Sequence, residues 1–210
     1  MKKIFLLIVT TFIGIASINA QNYNLEAVAG LNMANCGNFD SKAGFHAGAR
    51  LVYDLPLLSE NAYFNAGLMF SLKGFKMDWG IITAKSNAYF LELPIHIGYK
   101  HTVTNDFAVF GEAGPYLGLG LFGESDGGYS NEWDEEESAS IKTFDAMKRF
   151  DVGAGLRVGV ELNKKYSISF GYDWGMIDSY KKDEDPLEGY FDLTPSMKHK
   201  NLTISLSYKF

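Results

Sequence analysis

Eight segments of this 210-residue chain alternate apolar with polar residues, and the stretches between them are alternately long and short. The clearest segment is the last. Leu202, Ile204, Leu206, Tyr208 and Phe210 fall on one side of it, with Thr203, Ser205, Ser207 and Lys209 on the other. A period of two is that of a β-strand whose faces meet different media. The other segments span about 25–33, 45–53, 63–73, 89–100, 107–121, 150–161 and 166–174. Each is about ten residues or longer, the length a tilted strand needs to cross an outer membrane.

The connections supply an independent constraint. They run about 35–43, 55–60, 74–87, 102–106, 122–146, 163–165 and 178–198, long and short in strict turn. Bacterial outer-membrane barrels have short periplasmic turns and longer outside loops, whereas a soluble ligand-binding barrel has no reason to sort its loops by parity. The spacing therefore predicts an all-β fold, an eight-stranded antiparallel up-and-down transmembrane β-barrel. Tyr53, Tyr89, Tyr99, Tyr166, Trp174, Tyr208 and Phe210 stand near the predicted strand ends and suit girdles at two membrane interfaces.

Both ends of the chain agree with that compartment. Residues 1–20 read as a signal peptide: Lys2 and Lys3, an apolar run from Ile4 to Ile15, then small residues before Gln21. The predicted barrel domain is 21–210, integral in the cell outer membrane with membrane lipid as its first partner. Removing the signal takes two lysines and no acids, so the formal charge moves from −6 to −8. That argues against a nucleic-acid partner, which selects a basic face. Cys36 is the only cysteine, which excludes an intrachain disulfide and leaves no zinc-site spacing.

The polar faces carry Glu26, Arg50, Lys73, Glu92, Lys100, Glu112, Asp151, Arg157, Glu161 and Asp173. An eight-stranded barrel is just wide enough for side chains to fill it. Charges pressed together there must pair, because an uncompensated buried ion costs several kcal/mol. The reading is a lumen charge network, with Arg50 and Arg157 bridging Glu92, Glu112 and neighbouring acids. The competing reading is a narrow charged conduit. His46 and His96 also point inward, but no serine sits beside them in a recognisable nucleophile motif, and no cofactor or metal fingerprint is present. No catalytic residue and no cofactor are therefore expected. The connections 122–146 and 178–198 are acidic, through Glu124, Asp126, Glu132, Asp134, Glu135, Glu136, Glu137 and Asp145 in one and Asp183, Glu184, Asp185, Glu188 and Asp192 in the other. They lack the order of a calcium-binding loop and read as solvated surface suited to partner recognition.

Five segments, in order, resemble the PorT-like family of outer-membrane β-barrel proteins common in Bacteroidota. Tyr89-Phe90-Leu91-Glu92-Leu93-Pro94-Ile95 resembles its "YLEIPL" strand, and Gly114-Pro115-Tyr116-Leu117-Gly118 resembles its "GPYLG" segment. Phe150 to Gly155, Gly171 to Gly175 and the Tyr208-Lys209-Phe210 ending continue the series. The resemblance implies an eight-stranded outer-membrane barrel and no single activity; its founding member is an accessory to protein secretion. The terminal strand, with Tyr208 and Phe210, resembles the signal read by the barrel-assembly machinery. The functional expectation is a non-enzymatic barrel that acts through its outside loops on a surface or secretion-system protein. The alternatives are a narrow pore and a PorT-type secretion accessory.

Overall fold

The computed structural model describes residues 23–37, 39–78, 82–129, 137–179 and 197–210. Its strands are β1 (Tyr23–Cys36), β2 (Asp40–Asp54), β3 (Ala62–Asp78), β4 (Ile82–Thr104), β5 (Phe107–Tyr129), β6 (Glu137–Lys142), β7 (Phe150–Leu162), β8 (Tyr166–Gly175) and β9 (His199–Lys209). One short helix, α1 (Thr143–Ala146), follows β6. Every pairing is antiparallel. Eight strands close into a ring because β1 pairs with both β2 and β9, and β5 skips β6 to pair with β7. Closure leaves the ring no free edge, which is how a sheet satisfies its backbone groups in hydrocarbon.

The wall is inside-out relative to a water-soluble sheet. In β9, His199, Asn201, Thr203, Ser205 and Ser207 are buried, while Leu202, Ile204 and Leu206 are exposed. In β1, Glu26 and Asn32 are buried while Leu31 is 68 % exposed; in β7, Asp151 is 1 % exposed and Phe150 68 %. Apolar residues stand outward on every strand of the ring from β1 to β9, and a band of that extent is stable only in an apolar surrounding.

The two ends differ. At one end lie Tyr23, Lys209 and the tight turns. Between β7 and β8, Asn163 and Lys164 take φ of 51° and 56°, and Lys165 N–H donates to Leu162 O at 3.1 Å. That is the type I′ turn favoured by the twist of paired strands. At the opposite end the strands overhang the ring. Here the structure corrects the sequence reading, in which 74–87 and 122–146 are connections. β3 continues to Asp78 and β4 starts at Ile82, while β5 runs on to Tyr129 and pairs there with β6, from Glu124↔Lys142 to Tyr129↔Glu137. Cross-strand hydrogen bonding overrides the Gly-Asp-Ser composition that marks this stretch as a loop. Residues 1–20, Glu132, Asp134, Glu135, Glu136 and the acidic run from Asp183 to Asp192 lie outside the described residues.

Candidate functional site

The inward face of the ring is the only place where the chain concentrates buried charge among the described residues, and it is organised in three tiers. Nearest the tight turns, the ammonium groups of Lys100 and Lys209 share one acceptor, Glu161 Oε2, at 2.6 and 3.0 Å. This pair floors an open vestibule of about 210 Å³, whose walls include Asp54, Asp106 and Lys164.

The middle tier centres on Glu112, from β5. Arg50 Nη1 reaches its Oε1 at 3.2 Å and Arg157 Nη1 reaches the same atom at 3.5 Å. Tyr63 Oη and Asn65 Nδ2 donate to Oε2 at 3.0 and 2.7 Å. Arg50 also donates through Nε to Glu26 Oε2 at 2.6 Å. Tyr63 fits because Gly98 faces it: a Cβ on Gly98 would overlap the phenol ring.

In the upper tier the Lys73 side chain is wholly buried. Its ammonium is paired with Glu92 and lies 3.7 Å from Asp151 Oδ2. The rings of Tyr116 and Phe90 lie 5.0 and 5.6 Å from it, within cation–π range. Tyr116 Oη donates to Asp151 Oδ2 at 3.1 Å. Asp173 is buried and accepts from Asn201 Nδ2 at 3.3 Å. A cavity of about 20 Å³ remains here, between Glu92, Arg157, Asp173, Asn201 and Thr203.

The nine lumen residues of the sequence reading, together with Lys100, lie on the inward face, and all but Asp173, whose hydrogen bond comes from Asn201, pair with one another. One detail is corrected: Glu92 pairs with Lys73, not with an arginine. A second correction concerns His46. Its Nε2 is 2.8 Å from Ser205 Oγ and its Nδ1 is 3.3 Å from Asn32 Oδ1, the atom order of a Ser-His-Asn set. Sequence spacing hides this, because the three residues sit on β1, β2 and β9. All three are buried, and the adjacent cavity admits nothing larger than a water. In this arrangement the three side chains hydrogen-bond one another across β1, β2 and β9.

Above the charges sits an apolar cap absent from the sequence reading. Cys36, Ala88, Phe90, Phe144, Met147 and Met197 form one buried cluster. The Phe144 ring meets Phe90 edge-on at 5.6 Å and occupies the space that a Cβ on Gly120 would fill. Arg149 clamps it, with its guanidinium 4.9 Å from the Phe144 ring and Nη1 donating to Gly120 O and Leu121 O at 3.1 and 2.7 Å. Phe144 and Met147, three apart in an otherwise polar segment, were the available sequence signal. Replacing Phe144 by alanine removes about 3–5 kcal/mol of packing. The expected result is that Cys36, fully buried in the native cap, gains reactivity toward a water-soluble maleimide by on the order of a hundredfold. Labelling kinetics of folded protein in vesicles measure it.

Residues 12–181 match the family model described as the outer membrane protein beta-barrel domain. The chain belongs to that family. No curated protein matches the sequence. Among solved structures the chain is similar to Ail, the attachment invasion locus protein of Yersinia pestis, at 12 % identity and TM-score 0.41, covering 89 % of this chain and 99 % of that one. It is similar to Neisserial surface protein A at 12 % identity and TM-score 0.47, covering 90 % and 97 %. It is also similar to OprG of Pseudomonas aeruginosa at 11 % identity and TM-score 0.48, covering 90 % and 96 %. This outer-membrane barrel is integral in that membrane, and its tight-turn end, with both described strand termini, is the periplasmic one. The overhanging end with the cap faces outside. Tyr53, Tyr99, Tyr166 and Phe210 are exposed on the periplasmic rim, and Trp174 stands toward the outer rim of β8. Tyr89 and Tyr99, ten residues apart on β4, mark a span of membrane-crossing length.

Proposed function

We propose that this outer-membrane barrel is non-enzymatic, is closed to solutes by its own lumen side chains, and acts as a structural or interaction protein through its outer connections. The observation that carries the reading is the pairing of charges across the lumen, Arg50 with Glu26 and Glu112, Arg157 with Glu112, and Lys73 with Glu92 and Asp151, with a cavity of only about 20 Å³ between the two clusters. Displacing such a network to admit a hydrated ion would strand buried charges, at several kcal/mol each. The apolar cap adds a second barrier at the outer mouth.

Planar-bilayer recording tests it. Mature protein whose fold is verified by heat-shifted gel migration is expected to give no stable unitary steps at moderate salt. Steps that change in size with Arg50→Ala or Arg157→Ala would sink the closed-lumen reading and favour a narrow pore.

The PorT-like assignment, and with it an accessory role in secretion and a surface or secretion-system partner, rests on the five ordered segments. Tyr208 and Phe210, whose rings meet edge-on at 5.1 Å at the end of the closing strand, are the residues we assign to recognition by the barrel-assembly machinery.

A further inference from the structure

One sector of the outer wall carries a row of lysines above a strip of aromatic rings. Phe45 on β2, Phe70 on β3, Tyr89 on β4 and Phe122 on β5 form the strip. Phe70 and Tyr89 stack at 5.6 Å, Tyr89 and Phe122 at 4.6 Å, and Phe45 approaches Phe70 at 6.4 Å. Phe45 and Phe122 are exposed to what surrounds the barrel. With Tyr89 at the outer end of the membrane-crossing span, these rings lie at the upper limit of the hydrocarbon, where flat amphipathic rings are favoured.

The lysines stand one step farther out on the same strands. Lys42 crosses the bulge of β2 beside Gly74, and its Nζ donates to Ser86 O at 3.2 Å and to Asn87 Oδ1 at 2.5 Å. Lys76 on β3 is directly opposite Lys85 on β4, and both are exposed. Each lies within Coulombic range of Lys42. Asp40 and Asp126 end the row, opposite Lys76 and Lys85 respectively. Among the described residues no salt bridge includes Lys76 or Lys85. Like charges directly opposite on neighbouring strands are destabilising. An anion seated between them removes that repulsion, and the lysines are held on three paired strands, β2, β3 and β4.

We propose that this sector is a binding site for a phosphorylated, multiply acylated glycolipid of the outer leaflet, with Lys42, Lys76 and Lys85 holding the phosphate and the Phe45–Phe70–Tyr89–Phe122 strip seating the acyl chains. Phosphate suits an ammonium group with two others within Coulombic range of it, and only an amphiphile reaches lysines and rings together. The site lies outside the lumen and is independent of whether the lumen conducts.

Native mass spectrometry of the detergent-solubilised barrel tests it, with monophosphoryl lipid A and the same lipid after phosphatase treatment as probes. The phosphorylated lipid is expected to stay bound to the wild type. The K42Q/K76Q/K85Q variant is expected to lose roughly a hundredfold in affinity, from three ammonium–phosphate contacts. Lys200→Gln, on the exposed face of β9, is expected to bind as the wild type does. Gel migration reports folding of each variant, and K76Q/K85Q, which keeps the Lys42 bonds to Ser86 O and Asn87 Oδ1, is expected to lose affinity as well, separating lost charge from lost local structure. Equal binding of the dephosphorylated lipid, or full binding by the triple variant, would mean that the rings alone hold lipid and would overturn the proposal.

Discussion

Replacing Lys73 by methionine is expected to destabilise the barrel by about 3–5 kcal/mol, the cost of breaking a buried ion pair from one side. Methionine is close to lysine in shape, so little of the loss comes from a cavity. What remains is electrostatic. Lys73 is set against Glu92 and Asp151 in the upper lumen, with Asp173 on the wall of the same cavity as Glu92. Without it, these carboxylates face one another in a site with room for no more than a water. The midpoint of urea unfolding in lipid vesicles, followed by gel migration, measures the loss. Adding Glu92→Gln to Lys73→Met is expected to restore part of it, because Glu92 is then no longer stranded while Asp151, 3.7 Å from the lost ammonium, still is. A Lys73→Met variant within 1 kcal/mol of wild type, the range of a solvated surface pair, would show that water reaches this tier.

The barrel was legible in the sequence because its two environments are extreme. Lipid on one side and a polar interior on the other force the clean alternation seen in β9, where a half-exposed soluble strand tolerates lapses. Loop parity was legible for a related reason, since turns on one rim must be tight. The overhang was not. Residues 123–129 are rich in glycine and acid, and the pattern that marks a lipid-crossing strand disappears once both faces meet water, although β5 and β6 still pair there. Helix α1 has four residues, too few for any helical period to register. Which residues face the lumen followed from parity alone. Which acid meets which base did not: Lys73 lies opposite Ala88 and Glu92 opposite Met69, so their contact runs diagonally between strands and depends on register. The Ser205–His46–Asn32 cluster was hidden for the same reason, with three strands contributing one residue each.

Glu112 offers the sharpest test of the lumen as a connected object. Replacing it by leucine is expected to cost about 3–5 kcal/mol, for two guanidinium groups lose a carboxylate, two neutral donors lose an acceptor, and His96 Nδ1 loses its contact at 3.5 Å. The geometry makes the two arginines unequal. Arg50 keeps Glu26, at 2.6 Å, whereas Glu112 is the only carboxylate in an ion pair with Arg157 among the described residues. Adding Arg157→Met to Glu112→Leu should therefore recover a large share of the loss, since it removes the stranded charge. Adding Arg50→Met should recover none and cost more, since it strands Glu26. The coupling is read as the departure from additivity across the two cycles, with unfolding midpoints of all variants in the same vesicles. Rescue of equal size by both arginine substitutions would mean that Arg50 is not anchored by Glu26. Additive behaviour in both cycles would mean that the middle tier is hydrated, its charges too well screened to feel one another, and the case for a closed lumen would fall with it.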